Sequence, residues 1–220
     1  RFNDYGIGLF MQENMRGAEN AFRRAFQFDT SYADAFINLA RIDLQEGNLS
    51  SMAEKLDSAE KVKPDFYKTH YFRGLWDKMN GKLDDAIAEL KIVHDRFPYD
   101  RNTITTTAQL YYLKGEYNTA LDWCNKEFAI DPEDFTAHYD AFLSYNALGK
   151  TDSATLHREQ YMVYRDDERV NEYALEYRVK HPADNNEADI IHEHLNSMLT
   201  ADLKSKEKNV RSRFYSSIKQ

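Results

Sequence analysis

The sequence predicts an all-α chain, built by stacking antiparallel helix pairs one after another. Three observations predict it. First, Gly47, Gly81, Gly115 and Gly149 stand 34 residues apart, and so do Pro64, Pro98 and Pro132. Second, three further positions keep the same register. One runs Ala18, Met52, Ala86, Ala120, Ala154. Another runs Gly6, Ala40, Gly74, Ala108, Phe142, and the third Ala25, Ala59, Val93, Glu127, Tyr161. Third, 42% of the 220 residues are hydrophobic and 14% aromatic, enough to bury a sizeable core in one domain or in a repeat array.

Each mark has a physical cause. Glycine lets the chain leave a first helix with positive φ. Proline ends a second helix and restarts the chain in an extended conformation. Small side chains let two helix axes approach closely. Thr30 and Asp166 stand where proline is expected, and Glu13 where later units have glycine. Arg158 falls at an apolar second-helix position, so the first and last units are the least regular.

A 34-residue unit of two helices resembles the tetratricopeptide repeat. The resemblance implies a right-handed superhelical solenoid with five units: 1–32 (incomplete), 33–66, 67–100, 101–134 and 135–168. Arg1 would be the third residue of its unit, so sequence is expected upstream. After Glu168, Val170, Tyr173, Ala174 and Tyr177 recur at i, i+3, i+4 and i+7. This predicts a C-terminal capping helix over 169–181, stopped at His181-Pro182, with 182–220 forming a closing motif and a basic tail.

On the tetratricopeptide pattern, the first helices line a concave groove through fixed positions of each unit. Here these include Ile7, Phe10, Met11, Ile37, Arg41, Leu44, Tyr71, Leu75, Lys78, Met79, Gln109, Tyr112, Tyr139 and Leu143, with Asp34, Lys68 and Leu113 beside them. Such an apolar lining implies either a groove for an apolar segment of a protein partner, or a tight superhelix whose inner wall buries itself. Arg41, Lys68 and Lys78 do not reproduce the cluster with which carboxylate-gripping relatives hold a peptide end.

The chain carries a net charge of −8, which argues against nucleic acid as a partner. The charge is uneven. Residues 195–220 hold six basic and two acidic residues, leaving −12 on the rest. That tail is expected to be solvated, or to dock on an acidic surface. No apolar run is long enough to span a membrane. The single cysteine, Cys124, excludes an internal disulfide, and without C-x-x-C-H there is no covalently attached haem in this chain.

Catalytic constellations are absent: there is no G-x-S-x-G, no phosphate loop and no H-E-x-x-H. His70 and His138 share the fourth position of their units and are expected to pack. His94 and His157 lie on second helices and are expected to face solvent. His192 and His194 form an H-x-H pair. In a helix the two side chains point about 200° apart, and only in an extended segment could they share a metal or cap a partner's haem.

Beyond the repeat, FPYDR (97–101), DPEDFTAHYD (131–140), YRDDE (164–168), YRVKHPADNNE (177–187) and IHEH (191–194) resemble the repeat region of bacterial tetratricopeptide proteins linked to multihaem c-type cytochromes. The resemblance implies a non-catalytic interaction scaffold in an extracytoplasmic electron-transfer assembly, in the periplasm or at the cell surface. Any haem would lie on an upstream domain or a partner chain. A multihaem cytochrome is then the expected partner, with self-association as a further expectation. The alternatives are a cytoplasmic adaptor of the same fold unrelated to haem proteins, and a metal- or haem-ligating module at His192 and His194.

Overall fold

The computed structural model describes residues 1–166 together with Lys180 and His181. All of these belong to the first of two compact units, residues 1–190; the second unit is 191–220. The expected capping helix lies almost wholly outside the described residues. So do the closing motif, His192, His194 and the basic tail.

Ten helices follow one another among the described residues, with no strand. They are α1 (Phe2–Met11), α2 (Met15–Phe28), α3 (Ala33–Glu46), α4 (Leu49–Val62), α5 (Tyr67–Met79), α6 (Leu83–Arg96), α7 (Arg101–Leu113), α8 (Tyr117–Ile130), α9 (Phe135–Ala147) and α10 (Thr151–Arg165). Each odd-numbered helix packs on the even-numbered one after it, and each pair packs on the next. The architecture is therefore a line of helix pairs in which every element touches only near neighbours in sequence.

The turn chemistry explains the regularity. Gly47, Gly81, Gly115 and Gly149 all sit at φ between 71° and 79°, which a side chain would strain. Glu13 occupies the equivalent turn at φ 60°, so the first unit makes the same turn with a residue unsuited to it. The residues before the prolines, Lys63, Phe97 and Asp131, leave the helical region at φ between −140° and −129°, Asp131 reaching the extended region. Asp29 adopts the same conformation without a proline, because its carboxylate accepts from the backbone N–H and the hydroxyl of Ser31. Asp166 does not: at φ −101°, ψ 5° it leaves α10 without the extended step. Asn14, Asp100 and Asp134 cap α2, α7 and α9 by accepting from the backbone N–H three residues on.

The small positions are where helices touch. A Cβ built at Gly6 would lie 2.5 Å from the Phe22 ring, and one at Gly74 would lie 2.9 Å from Leu90 and 3.3 Å from the Ala86 carbonyl. Ala18, Ala40, Ala86, Ala108 and Ala120 are buried on the same seams. The largest core runs through α3 to α7, around Ile37, Met52, Leu56, Phe72, Leu90, Val93 and Leu110. Smaller cores join α1–α3 around Phe22 and α7–α9 around Leu121 and Cys124. Between units, the Trp76 indole N–H donates to the Leu49 carbonyl at 2.8 Å.

Candidate interaction surface

The first helices of successive pairs touch one another (α1 with α3, α3 with α5, α7 with α9), so they form the inner row of the line. That contact takes up several side chains expected to line a groove. Ile37, at 1% exposure, lies in the core, and Tyr71 lies beside it in the same cluster. Arg41 is buried with its guanidinium 5.0 Å from the centre of the Phe72 ring. These three offer no open surface. The cause is steric: where first helices meet directly, the middle of each helix faces the neighbouring helix instead of solvent. Ile7 and Phe10 are half-buried against Phe22 and Leu39, and Leu44 and Leu75 against the central core. Tyr112 and Leu143 are half-buried as well, Tyr112 with its ring 5.5 Å from Tyr117.

What remains exposed sits at the C-terminal ends of the first helices. Met11, Met79 and Leu113 occupy one register position, 34 residues being the step from 79 to 113 and twice that from 11 to 79, and each is more than half exposed. Tyr139, in the first half of α9, is an exception at 41% exposure, its ring tilted against Tyr161 with centres 5.1 Å apart. Met11, Met79 and Leu113 thus make an apolar set displaced from the middle of the inner face to its rim.

Polar side chains lace the first helices together. Asn38 donates to Asn3 at 2.7 Å, and Lys68 pairs with Asp34. Lys78 donates to the Gln109 amide oxygen, and the Gln109 nitrogen donates to Asp140 at 3.2 Å. Burial pushes the Asp140 carboxyl up to about 7, with Gln109 and Lys78 opposing the shift. Burial lowers the Lys78 pKa, and Asp140 opposes that. Lys78 and Gln109 thus spend their polar atoms inside the chain and do not await a ligand.

Two polar clusters depart from what the sequence predicts. At the joint of α7, α8 and α9, Arg101 meets three carboxylates: Glu127 Oε1 at 2.7 Å, Asp134 Oδ2 at 2.6 Å and Asp131 Oδ2 at 2.6 Å. The Asp131 oxygen is out of line for a hydrogen bond, so it shares the charge without receiving a donor, and Glu127 Oε2 also has none. Burial pushes Glu127 up to about 8, with Asp134 adding to it and Arg101 opposing it. The signal for this cluster was in the register, since Glu127 stands where the three earlier units have Ala or Val.

The second departure concerns the histidines. His94 and His157 do not face solvent. The His94 ring stands edgewise on Trp123 at 4.7 Å, and Lys126 lies 3.4 Å from its Nε2. His157 places Nδ1 3.0 Å from Nδ1 of His138, between the rings of Phe128 and Tyr145. His157 is drawn inward by His138 at the fourth position of its own unit, and His94 by Trp123 and Lys126 of the next unit. His70 packs as expected but also bonds Glu89 Oε2 at 2.7 Å. Cys124 is buried, and desolvation holds its thiol far above the usual range, so it is a core residue. Among the described residues no group of three or more His, Cys, Asp or Glu is set to hold a metal ion, and no helix is long and apolar enough to cross a membrane.

No protein-family model matches the chain, and no curated protein sequence matches it. Solved structures do. A crystal structure of MamA superimposes with a TM-score of 0.60 at 17% identity, over 73% of this chain and 94% of that one. A second MamA crystal structure gives 0.58 at 18% identity, over 82% and 92%. A chain of the APC/C hetero-tetramer Cut9–Hcn1 gives 0.70 at 14% identity, over 80% of this chain and 35% of that one. What this chain shares with them is the fold, an all-helical tetratricopeptide solenoid of successively packed helix pairs.

Proposed function

We propose that this chain is a non-catalytic scaffold that binds a protein partner along the rim of its first helices. The observation that carries this reading is that Met11, Met79 and Leu113, at one register position of the repeat, are all more than half exposed, with Tyr139 exposed beside them on a first helix. Methionine and tyrosine give adaptable apolar contact, which suits a surface that docks on another protein. The internal pairing of Lys68 and Lys78 supports apolar over charge-led recognition.

The partner we favour is a multihaem c-type cytochrome in an extracytoplasmic assembly. Support for it is the sequence likeness of FPYDR, DPEDFTAHYD and YRVKHPADNNE to cytochrome-linked repeat proteins.

A photo-crosslinking residue at Met79 or at Leu113, with Glu54 on α4 as the control position, tests both levels. The expected result is one dominant partner captured from the rim positions, absent from the control, and carrying a haem Soret band. Equal capture from rim and control would overturn the rim as the binding surface. A single rim-specific partner without haem would overturn the cytochrome assignment and leave the scaffold reading standing.

A further inference from the structure

His70 and His138 hold the same position in their units, 34 residues times two apart, and each meets the residue 19 positions later on the second helix of its own pair. In the α5–α6 pair that residue is Glu89; in the α9–α10 pair it is His157. One seam of the repeat is thus built twice, once as imidazole on carboxylate and once as imidazole on imidazole.

The tautomers follow from the partners. His138 Nε2 lies 3.0 Å from the Pro132 carbonyl, which can only accept, so Nε2 carries the proton. The neutral ring then presents a bare Nδ1, and the facing Nδ1 of His157 must be the donor. A first added proton turns the contact into an imidazolium–imidazole pair and puts a charge among Phe128, Tyr145 and the neighbouring rings. A second puts N–H against N–H at 3.0 Å and ends the bond. The elements around the pair contribute Phe128 from α8, Pro132 and Asp134 from the turn, Tyr145 from α9 and Tyr164 from α10. Asp134 brings its charge to bear on His138, and it is held by Arg101 at 2.6 Å.

We propose that the α9–α10 pair is an acid-sensitive joint, loosened when the His138–His157 contact takes up protons, while the α5–α6 pair is tightened by the same change through His70 and Glu89. Desolvation, with His138 adding to it, pushes His157 down to about 4, and desolvation lowers His138. The Glu89 hydrogen bond raises His70. The sign for His157 is that of a base harder to protonate folded than unfolded. Its stabilisation is complete above the unfolded value and falls away as pH drops from 6.5 towards 4. His70 has the opposite sign: its contribution is complete below 6.5 and is lost as pH rises through its higher folded value.

Amide hydrogen exchange on the full chain, corrected for intrinsic rates, reads the two pairs separately. Between pH 7 and pH 5 the opening of α10 should rise about tenfold, the full shift being discounted for the solvent reaching a half-buried ring. Protection in α5 and α6 should hold or improve. His157→Phe keeps the stacking on Phe128 and Tyr145 and should abolish the α10 response. An α10 response that is absent in the wild type, or the same in His157→Phe, overturns the proposal. Side-chain nitrogen NMR of the wild type decides the matter even if the variant fails to fold. The pair should show His138 protonated at Nε2 and His157 at Nδ1, with His157 staying neutral at pH 6. An Nε2-protonated His157, or ordinary titration near 6.5, overturns it.

Discussion

Arg101 Nε donates to Glu127 Oε1 across 2.7 Å, in a place where the Glu127 side chain has no exposed surface. The same guanidinium serves Asp131 and Asp134. Removing the one cation should leave Asp131, Asp134 and the Glu127 carboxyl facing one another unpaired. Arg101→Met is expected to cost about 3–5 kcal/mol in urea unfolding, whereas Glu127→Val, the residue type at the same position one unit earlier, should stay within about 1 kcal/mol of wild type. Equal losses in the two variants would show that the cluster is held by packing and not by charge.

Glu127 also has a pH signature. Its folded pKa of about 8 lies above the ordinary 4.5, because burial disfavours the charged form. The folded state therefore holds a proton that the unfolded state has lost, and its contribution to stability shrinks as pH rises from 4.5 to 8. The difference in unfolding free energy between wild type and Glu127→Gln should drift against the wild type over that window. A difference independent of pH would mean that Glu127 is ionised in the fold.

Glu13 makes a glycine's turn. Its φ of 60° is strained for a residue with a Cβ, and Glu13→Gly should relieve about 1–2 kcal/mol of that strain. The looser unfolded chain takes back about 0.4–1 kcal/mol, so the net gain should be about 0.5–1 kcal/mol, seen as a higher thermal midpoint. Gly81→Ala, the reverse change at φ 73°, should lower it.

Gly74 is where α5 rests on α6. Gly74→Ala forces a methyl against Leu90 and should cost about 1–3 kcal/mol. Leu90→Ala alone should cost about 2–5 kcal/mol. In the double variant the two costs should sum to more than the measured loss, because the second change opens the space the first one needs. Strict additivity would place the strain of Gly74→Ala on the Ala86 carbonyl instead.

The helix pairs were legible in the sequence because glycine, proline and alanine act through backbone geometry, and backbone geometry repeats with the chain. Side-chain pairing between units does not repeat, and it was less legible. Ile37, Arg41 and Tyr71 carry groove-type spacing, yet their fate depends on how closely α3 and α5 approach, a distance no periodicity encodes. His157 looked solvent-facing because its own helix gives no reason to turn it inward; the reason is His138, on another helix. Glu127 was visible as an oddity in the register but could not be interpreted until Arg101, 26 residues away, stood beside it.

The linear order of contacts has a kinetic consequence. Every helix packs only on neighbours one or two places away, so few long loops must close before contacts form. Folding should be quick for a chain of this length, and it should start where the apolar core is continuous, at Met52, Leu56, Phe72 and Leu90, with the outer pairs added by docking on a finished template.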